Sequence, residues 1–93
     1  MPFTVSSDGL PSVALRRVEP ERNVARFYEL ALARDLFGQV VLVREWGRIG
    51  TFGRRRQDEY ASEMKALAAL LALAAQKRRR GYSSDPPAGQ SKT

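Results

Sequence analysis

The segment Trp46-Gly47-Arg48-Ile49-Gly50-Thr51-Phe52-Gly53-Arg54-Arg55-Arg56 holds the residue types in this chain best suited to chemistry. A tryptophan beside glycines and arginines can stack on a sugar or base while guanidinium groups hold phosphates. Glycines at 47, 50 and 53 remove a side chain at every third position. That spacing serves either bulges and positive φ or the close approach of a ligand to the backbone. It is neither a dinucleotide-binding fingerprint nor a P-loop, since no Gly-Lys-Ser/Thr follows, so nucleotide hydrolysis is not supported. A second basic stretch is Lys77-Arg78-Arg79-Arg80. The candidate nucleic-acid contacts are therefore Arg44, Trp46, Gly47, Arg48, Arg54, Arg55, Arg56, Lys77, Arg78, Arg79 and Arg80. A plainer reading stays open for each: Trp46 as the largest core residue of a small domain, and the basic runs as solvated faces.

The charge balance favours a polyanion as partner. The chain has 93 residues and a net charge of +6, and the excess is local. Residues 44–56 carry five arginines and one acid, and residues 77–80 carry four bases, while the remaining 76 positions sum to −2. Such patches are the footprint of proteins that meet phosphates. Thirteen of the sixteen bases are arginine, the type that pairs with phosphate through two parallel hydrogen bonds.

What is missing narrows the function further. Without cysteine there is no disulfide, thiolate ligand or thiol nucleophile, and without histidine the commonest metal ligand and general base are absent. Asp35, Asp58 and Glu59 are not paired with a metal site or nucleophile by any recognisable spacing. No enzyme activity, metal, cofactor or small-molecule substrate is expected. The first ten residues lack the basic and apolar regions of a signal peptide, and the longest apolar run, residues 66–75, is half of the ~20 needed to span a bilayer. A cytoplasmic protein with no membrane partner is expected.

The elements that must position the candidate residues can be read from period changes. Residues 13–18 alternate weakly and predict a first strand, closed by Glu19-Pro20. Residues 25–33 predict a second, with Tyr28, Leu30 and Leu32 on one face. Asp35-Leu36-Phe37-Gly38 fits a turn. Residues 39–46 predict a strongly apolar strand covered on both faces in its first half. A short fourth strand is expected over 49–56, broken by glycines. From Tyr60 the pattern turns helical: Ser62 suits the N-cap, Glu63 the first turn, and Gly81 the position past the end. Met64, Leu67, Leu70, Leu71 and Ala74 form the expected apolar stripe, with Lys65, Ala69 and Gln76 opposite. The fold class is α+β: an antiparallel sheet of about four strands with one C-terminal helix packed across it. Residues 1–12 and 83–93 read as flexible tails around a folded unit of residues 13–82.

The residues then resemble a known family. Trp-Gly-Arg-Ile-Gly-Thr at 46–51 is similar to the signature of the WGR domain. Asn23 with Arg26-Phe27-Tyr28-Glu29-Leu30 resembles the family's Asn…(Arg/Lys)-Phe-Tyr-x-Leu strand. Asp35-Leu36-Phe37-Gly38 and Leu42-Val43-Arg44-Glu45-Trp46 resemble the turn and strand leading into the motif. Lys77-Arg78-Arg79-Arg80-Gly81-Tyr82 resembles the ending of free-standing bacterial-type members. Four blocks in order cover about residues 15–82. The resemblance implies the same sheet and helix, and a module like the one in DNA-dependent poly(ADP-ribose) polymerases. There, the tryptophan packs on the sugar of a terminal nucleotide and the arginine contacts DNA or a neighbouring domain, roles that fall on Trp46 and Arg48. The polymerases' zinc fingers, helical regulatory domain and catalytic domain do not fit in this chain, so ADP-ribosylation by it alone is not expected. The reading is a non-catalytic nucleic-acid-binding module with DNA ends or breaks as ligand. The alternative is a protein-interaction module that docks on a partner enzyme through the same basic surface.

Overall fold

The computed structural model describes residues 4–5 and 9–84; the other residues assigned to the two tails lie outside the described residues. Strands β1 (Thr4–Val5), β2 (Pro11–Glu19), β3 (Val24–Arg34), β4 (Val40–Arg48) and β5 (Arg54–Glu59) lie side by side in chain order, every pair antiparallel. A two-residue strand, β6 (Ser83–Ser84), joins β2 at Leu15 and Arg16. One helix, α1 (Glu63–Arg79), packs across the sheet. This is the expected α+β architecture, with β2 to β5 as the four principal strands.

The apolar period places the core. Val13 and Leu15 of β2, Tyr28, Leu30 and Leu32 of β3, and Val40 and Leu42 of β4 cluster with Ala66, Leu70 and Ala74 of α1. Strand residues two apart share a face, so three alternating runs supply one continuous apolar surface for the helix. Val41 and Val43 are buried too, outside that cluster, so the first half of β4 is covered on both faces as its unbroken apolar run requires.

The turns follow local hydrogen bonding. Asp35 Oδ1 accepts from the backbone N–H of Phe37 and of Gln39, each at 2.9 Å, which closes the β3–β4 hairpin. Ser62 Oγ accepts from Lys65 N at 3.2 Å and caps α1. At the other end Tyr82 N donates to Lys77 O and Gly81 N to Arg78 O, both at 3.1 Å, with Gly81 at φ +98°. This is a Schellman termination, and it folds Tyr82 back beneath the last helical turn.

Three details differ from the sequence expectation. β2 begins at Pro11, and Leu10 before it is buried in the core, because pairing continues along β3 as far as Ala31. Residues 49–53 are a loop and β5 starts only at Arg54: Thr51 N and Oγ1 both donate to Arg48 O, at 3.1 and 2.8 Å, and turn the chain before pairing resumes. The buried stripe of α1 runs through Ala66, Leu70 and Ala74, while Met64 is exposed. Ala69, expected on the outer side, packs half-buried against the core. The two small alanines let the helix backbone lie close to the sheet, which turns the longer Met64 outward.

A candidate nucleic-acid interface

Sheet register brings the two basic stretches together. On the helix side of the sheet, Arg17, Arg26 and Arg48 stand opposite one another on β2, β3 and β4. The next row is Leu15, Tyr28, Trp46 and Arg54, and the one after it Val13, Leu30, Arg44 and Arg56. Helix α1 starts near the far end of β3, where Glu63 faces Arg34 at 3.7 Å, and ends over Tyr28. The Lys77–Arg80 run thus arrives at the end of the sheet that carries Trp46.

Trp46 is half-buried rather than free. Its ring stacks on Tyr28 with centroids 5.8 Å apart and an interplanar angle of 19°. Tyr82 meets the same Tyr28 edge-on at 6.3 Å, and the Lys77 ammonium lies 4.4 Å from the Tyr28 centroid. The Tyr28 hydroxyl accepts from Arg44 Nη1 at 3.5 Å. Arg44 also pairs with Asp58 at 3.1 Å, and Asp58 takes a 2.8 Å hydrogen bond from Arg56. These contacts set the titration of the group. Burial lowers the Lys77 ammonium, and the charges of Arg80 and Arg44 lower it further. Burial opposes the charge of Arg44, but the Tyr28 hydroxyl and Asp58 outweigh it and hold the guanidinium above its ordinary value. The Arg56 hydrogen bond, joined by Arg44, holds the Asp58 carboxyl below its usual range.

The loop after Trp46 depends on two glycines. A Cβ on Gly53 would collide with the Trp46 carbonyl and come within 2.8 Å of the Phe27 ring, and Gly53 has φ +71°. A Cβ on Gly47 would lie 2.7 Å from Gly53 Cα. The loop therefore crosses the strand it has just left, over positions where no side chain fits. Its entry is braced by Arg48, whose Nη1 and Nη2 donate to the backbone and side-chain oxygens of Asn23, at 3.3 and 3.1 Å. Ile49 N donates to Ala25 O at 2.9 Å beside it.

The candidate residues thus fall into different situations. Arg54, Arg79 and Arg80 are exposed, and among the described residues they have no ion-pair partner. Arg56 is exposed but held by Asp58. Arg55 points to the opposite face, 3.8 Å from Glu45. Arg44 and Lys77 face inward, and the terminal nitrogens of Arg78 are buried without a hydrogen-bond partner. Arg26, outside the basic stretches of the sequence, is exposed beside Tyr28 and opposite Arg48. Tyr28 and Tyr82, on which Trp46 and Lys77 rest, likewise lie outside the motif and the basic run. The signal for Arg26 was its two-residue offset from Tyr28, which places both on one face once the β3–β4 register is fixed.

No helix among the described residues is long and apolar enough to cross a membrane. The sequence matches the model of the WGR domain over residues 12–89. It is 42% identical over 72 residues to a Sinorhizobium fredii protein described as "Uncharacterized protein y4dW", covering 77% of this chain and 35% of that relative. The chain therefore spans about a third of the length of the curated relative it matches. No solved structure matches significantly. With strands β3 to β5, the helix and the Trp46-Gly47-Arg48 end of β4 all inside the matched span, the chain belongs to the WGR domain family.

Proposed function

We propose that this chain is a non-catalytic nucleic-acid-binding module that takes DNA ends or breaks against the arginine-edged face around Trp46. WGR domains are in general nucleic-acid-binding modules of poly(ADP-ribose) polymerase-like proteins, which supports the class of ligand. The observation that carries the reading is the register. Arg26, Arg48 and Arg54 surround Trp46 on one face, and the exposed Arg79 and Arg80 stand at the helix end above it. Phosphates are held by Arg26, Arg54 and Arg80, exposed cations with no ion-pair partner among the described residues. The half of Trp46 not covered by Tyr28 takes the terminal sugar, which an uninterrupted duplex does not present. Arg44 and Lys77 act indirectly, by fixing Tyr28 and through it the tilt of Trp46.

Fluorescence anisotropy with blunt, nicked, overhanging and closed circular DNA, single strands and duplex RNA tests the proposal. Expected is binding that weakens steeply as salt rises and that is tighter for DNA with an accessible end. Equal affinity for closed circles removes the end preference. No binding to any of them at low salt overturns the reading in favour of a protein partner.

A further inference from the structure

The face of the sheet opposite the helix carries a groove of about 300 Å³, lined by Phe27, Glu29, Glu45, Ile49, Thr51 and Phe52 among others. Register builds its floor. Arg16, Phe27 and Gly47 form one row across β2, β3 and β4, and Ala14, Glu29, Glu45 and Arg55 form the next, ending on β5. The 49–53 loop folds over the first row, because Gly47 and Gly53 leave room for it against Phe27. Phe52 at its tip is wholly exposed, with relative exposure of 101%. The turn beneath it is closed by both Thr51 hydrogen bonds to the Arg48 carbonyl, so the ring is presented by an ordered turn.

The groove has an uncommon combination of groups. Glu29 and Glu45 stand directly opposite each other on neighbouring strands, an arrangement in which like charges repel. Glu45 has Arg55 at 3.8 Å, while Glu29 has no ion-pair partner among the described residues. Two carboxylates able to accept hydrogen bonds therefore sit beside apolar walls and a free aromatic ring, in a cavity at the lower end of the size range for small planar ligands. The ligand must offer a flat face and adjacent donors. It must also approach past Arg16, which lines the groove, and Arg55. These guanidinium groups on this face offset the two carboxylates and let a phosphate-bearing strand come near.

We propose that this groove holds an unpaired guanine of the nucleic acid bound at the arginine-edged face. The inference rests on the nucleic-acid reading above and adds a base-reading site to it. Guanine is the base whose pairing edge carries two adjacent donors, N1–H and the 2-amino group, and one carboxylate accepts both. Adenine and cytosine place an acceptor beside their amino group, and thymine flanks its single donor with two acceptors, so a carboxylate meets repulsion on each. Phe52 stacks on the base, and the Glu29 carboxylate accepts both donors, with Glu45 held beside it by Arg55. The loop from Arg48 to Arg54 joins the two faces, so a strand held at Trp46 can turn its last base around the sheet edge.

The test uses the full chain and labelled duplexes that are blunt or end in a short overhang of guanosine, inosine or thymidine. Inosine lacks the 2-amino donor. The expected order of affinity is guanosine, then inosine, with thymidine binding like the blunt duplex. Phe52→Ala should weaken binding to the guanosine overhang about tenfold, the scale of one lost stacking contact, and leave the blunt duplex within twofold. A Glu29→Gln, Glu45→Gln double variant should bind all three overhangs alike while melting as a folded protein. Equal wild-type affinity for the three overhangs overturns the proposal, as does a Phe52→Ala variant that keeps the preference. If duplex binding persists and still depends on Arg54, only the groove assignment falls. If no duplex binds, both readings fall. A groove that prefers an arginine-rich peptide to the guanosine overhang would make it a protein-docking site instead.

Discussion

Arg48 donates from both terminal nitrogens to one residue, Asn23, which stands 25 positions earlier in the chain. Asn23 closes a 3-10 turn (Pro20–Arg22) in the left-handed conformation, at φ 55°, with its N–H on the Pro20 carbonyl. The forked guanidinium therefore ties the β2–β3 turn to the start of the 49–53 loop. The arginine of the motif has a structural task before any ligand arrives.

That task has a measurable cost when removed. Arg48→Ala should lower stability by about 1 kcal/mol, small because the pair is exposed. In a thermal melt this is a fall of roughly 4–8 °C. Asn23→Ala should do much the same, and the double variant should be little worse than either, since each removes the same contacts. Additive losses would show that the two residues act separately.

Trp46 should answer differently from a fully exposed ring. Truncating a buried aromatic costs about 3–5 kcal/mol; with Trp46 half-buried on Tyr28, Trp46→Ala should cost about 2–3 kcal/mol in urea unfolding. Trp46→Phe, which keeps a ring over Tyr28, should retain most of that stability while binding DNA ends more weakly. Because the chain has a single tryptophan, its emission reports the site alone. Saturating DNA should change it, and unaltered emission would place the ligand elsewhere.

The arginine run divides by face. Arg54 and Arg56 lie on the Trp46 side, Arg55 on the other. Replacing Arg54 and Arg56 by alanine should make the slope of log affinity against log salt shallower by about 1–2 units. Arg55→Ala should leave the slope for blunt duplex nearly unchanged. Equal effects from all three would mean the strand is read as a diffuse charge. Its charges also suit an edge strand, where they discourage pairing with a second chain.

Acid should unpick the Arg44–Asp58–Arg56 group. The folded-state pKa of Asp58 is held below its unfolded value, so its contribution is complete above the unfolded value of about 4. It is lost as pH falls through the lower folded value. Urea midpoints measured across this range should therefore drop less steeply for Asp58→Asn than for the parent chain. Identical acid limbs would show that the carboxylate adds nothing to stability.

The folded unit proposed for residues 13–82 can be tested at its first boundary. Deleting residues 1–9 spares Leu10 and all of β2, whereas deleting residues 1–12 removes a core leucine and two residues of β2. The longer deletion should destabilise by about 2–5 kcal/mol more, the range for loss of a buried leucine. Matching melts for the two would put Leu10 outside the cooperative core.

The sequence by itself determined the three long strands, the helix ends and the hairpin turn, because each rests on a local rule. β1, β6 and the late start of β5 depend instead on pairing with distant residues. Alternation set Tyr28, Leu30 and Leu32 on one face, Asp35 and Gly38 wrote the turn, and Ser62 and Gly81 marked where the helix begins and stops. The Trp46-Gly47-Arg48 motif was equally legible, as a run of residue types. What each candidate residue does was decided by the tertiary structure. Arg54 and Arg55 are neighbours of the same type, yet the sheet sends them to opposite faces. Lys77 and Arg80 belong to one basic run, yet the helix lays the first on Tyr28 and leaves the second in water. Arg26, read only as part of a strand, gains a place beside Trp46 through the β3–β4 register. A side chain's type fixes the chemistry it can do, but its availability depends on long-range pairing, and no local pattern encodes that.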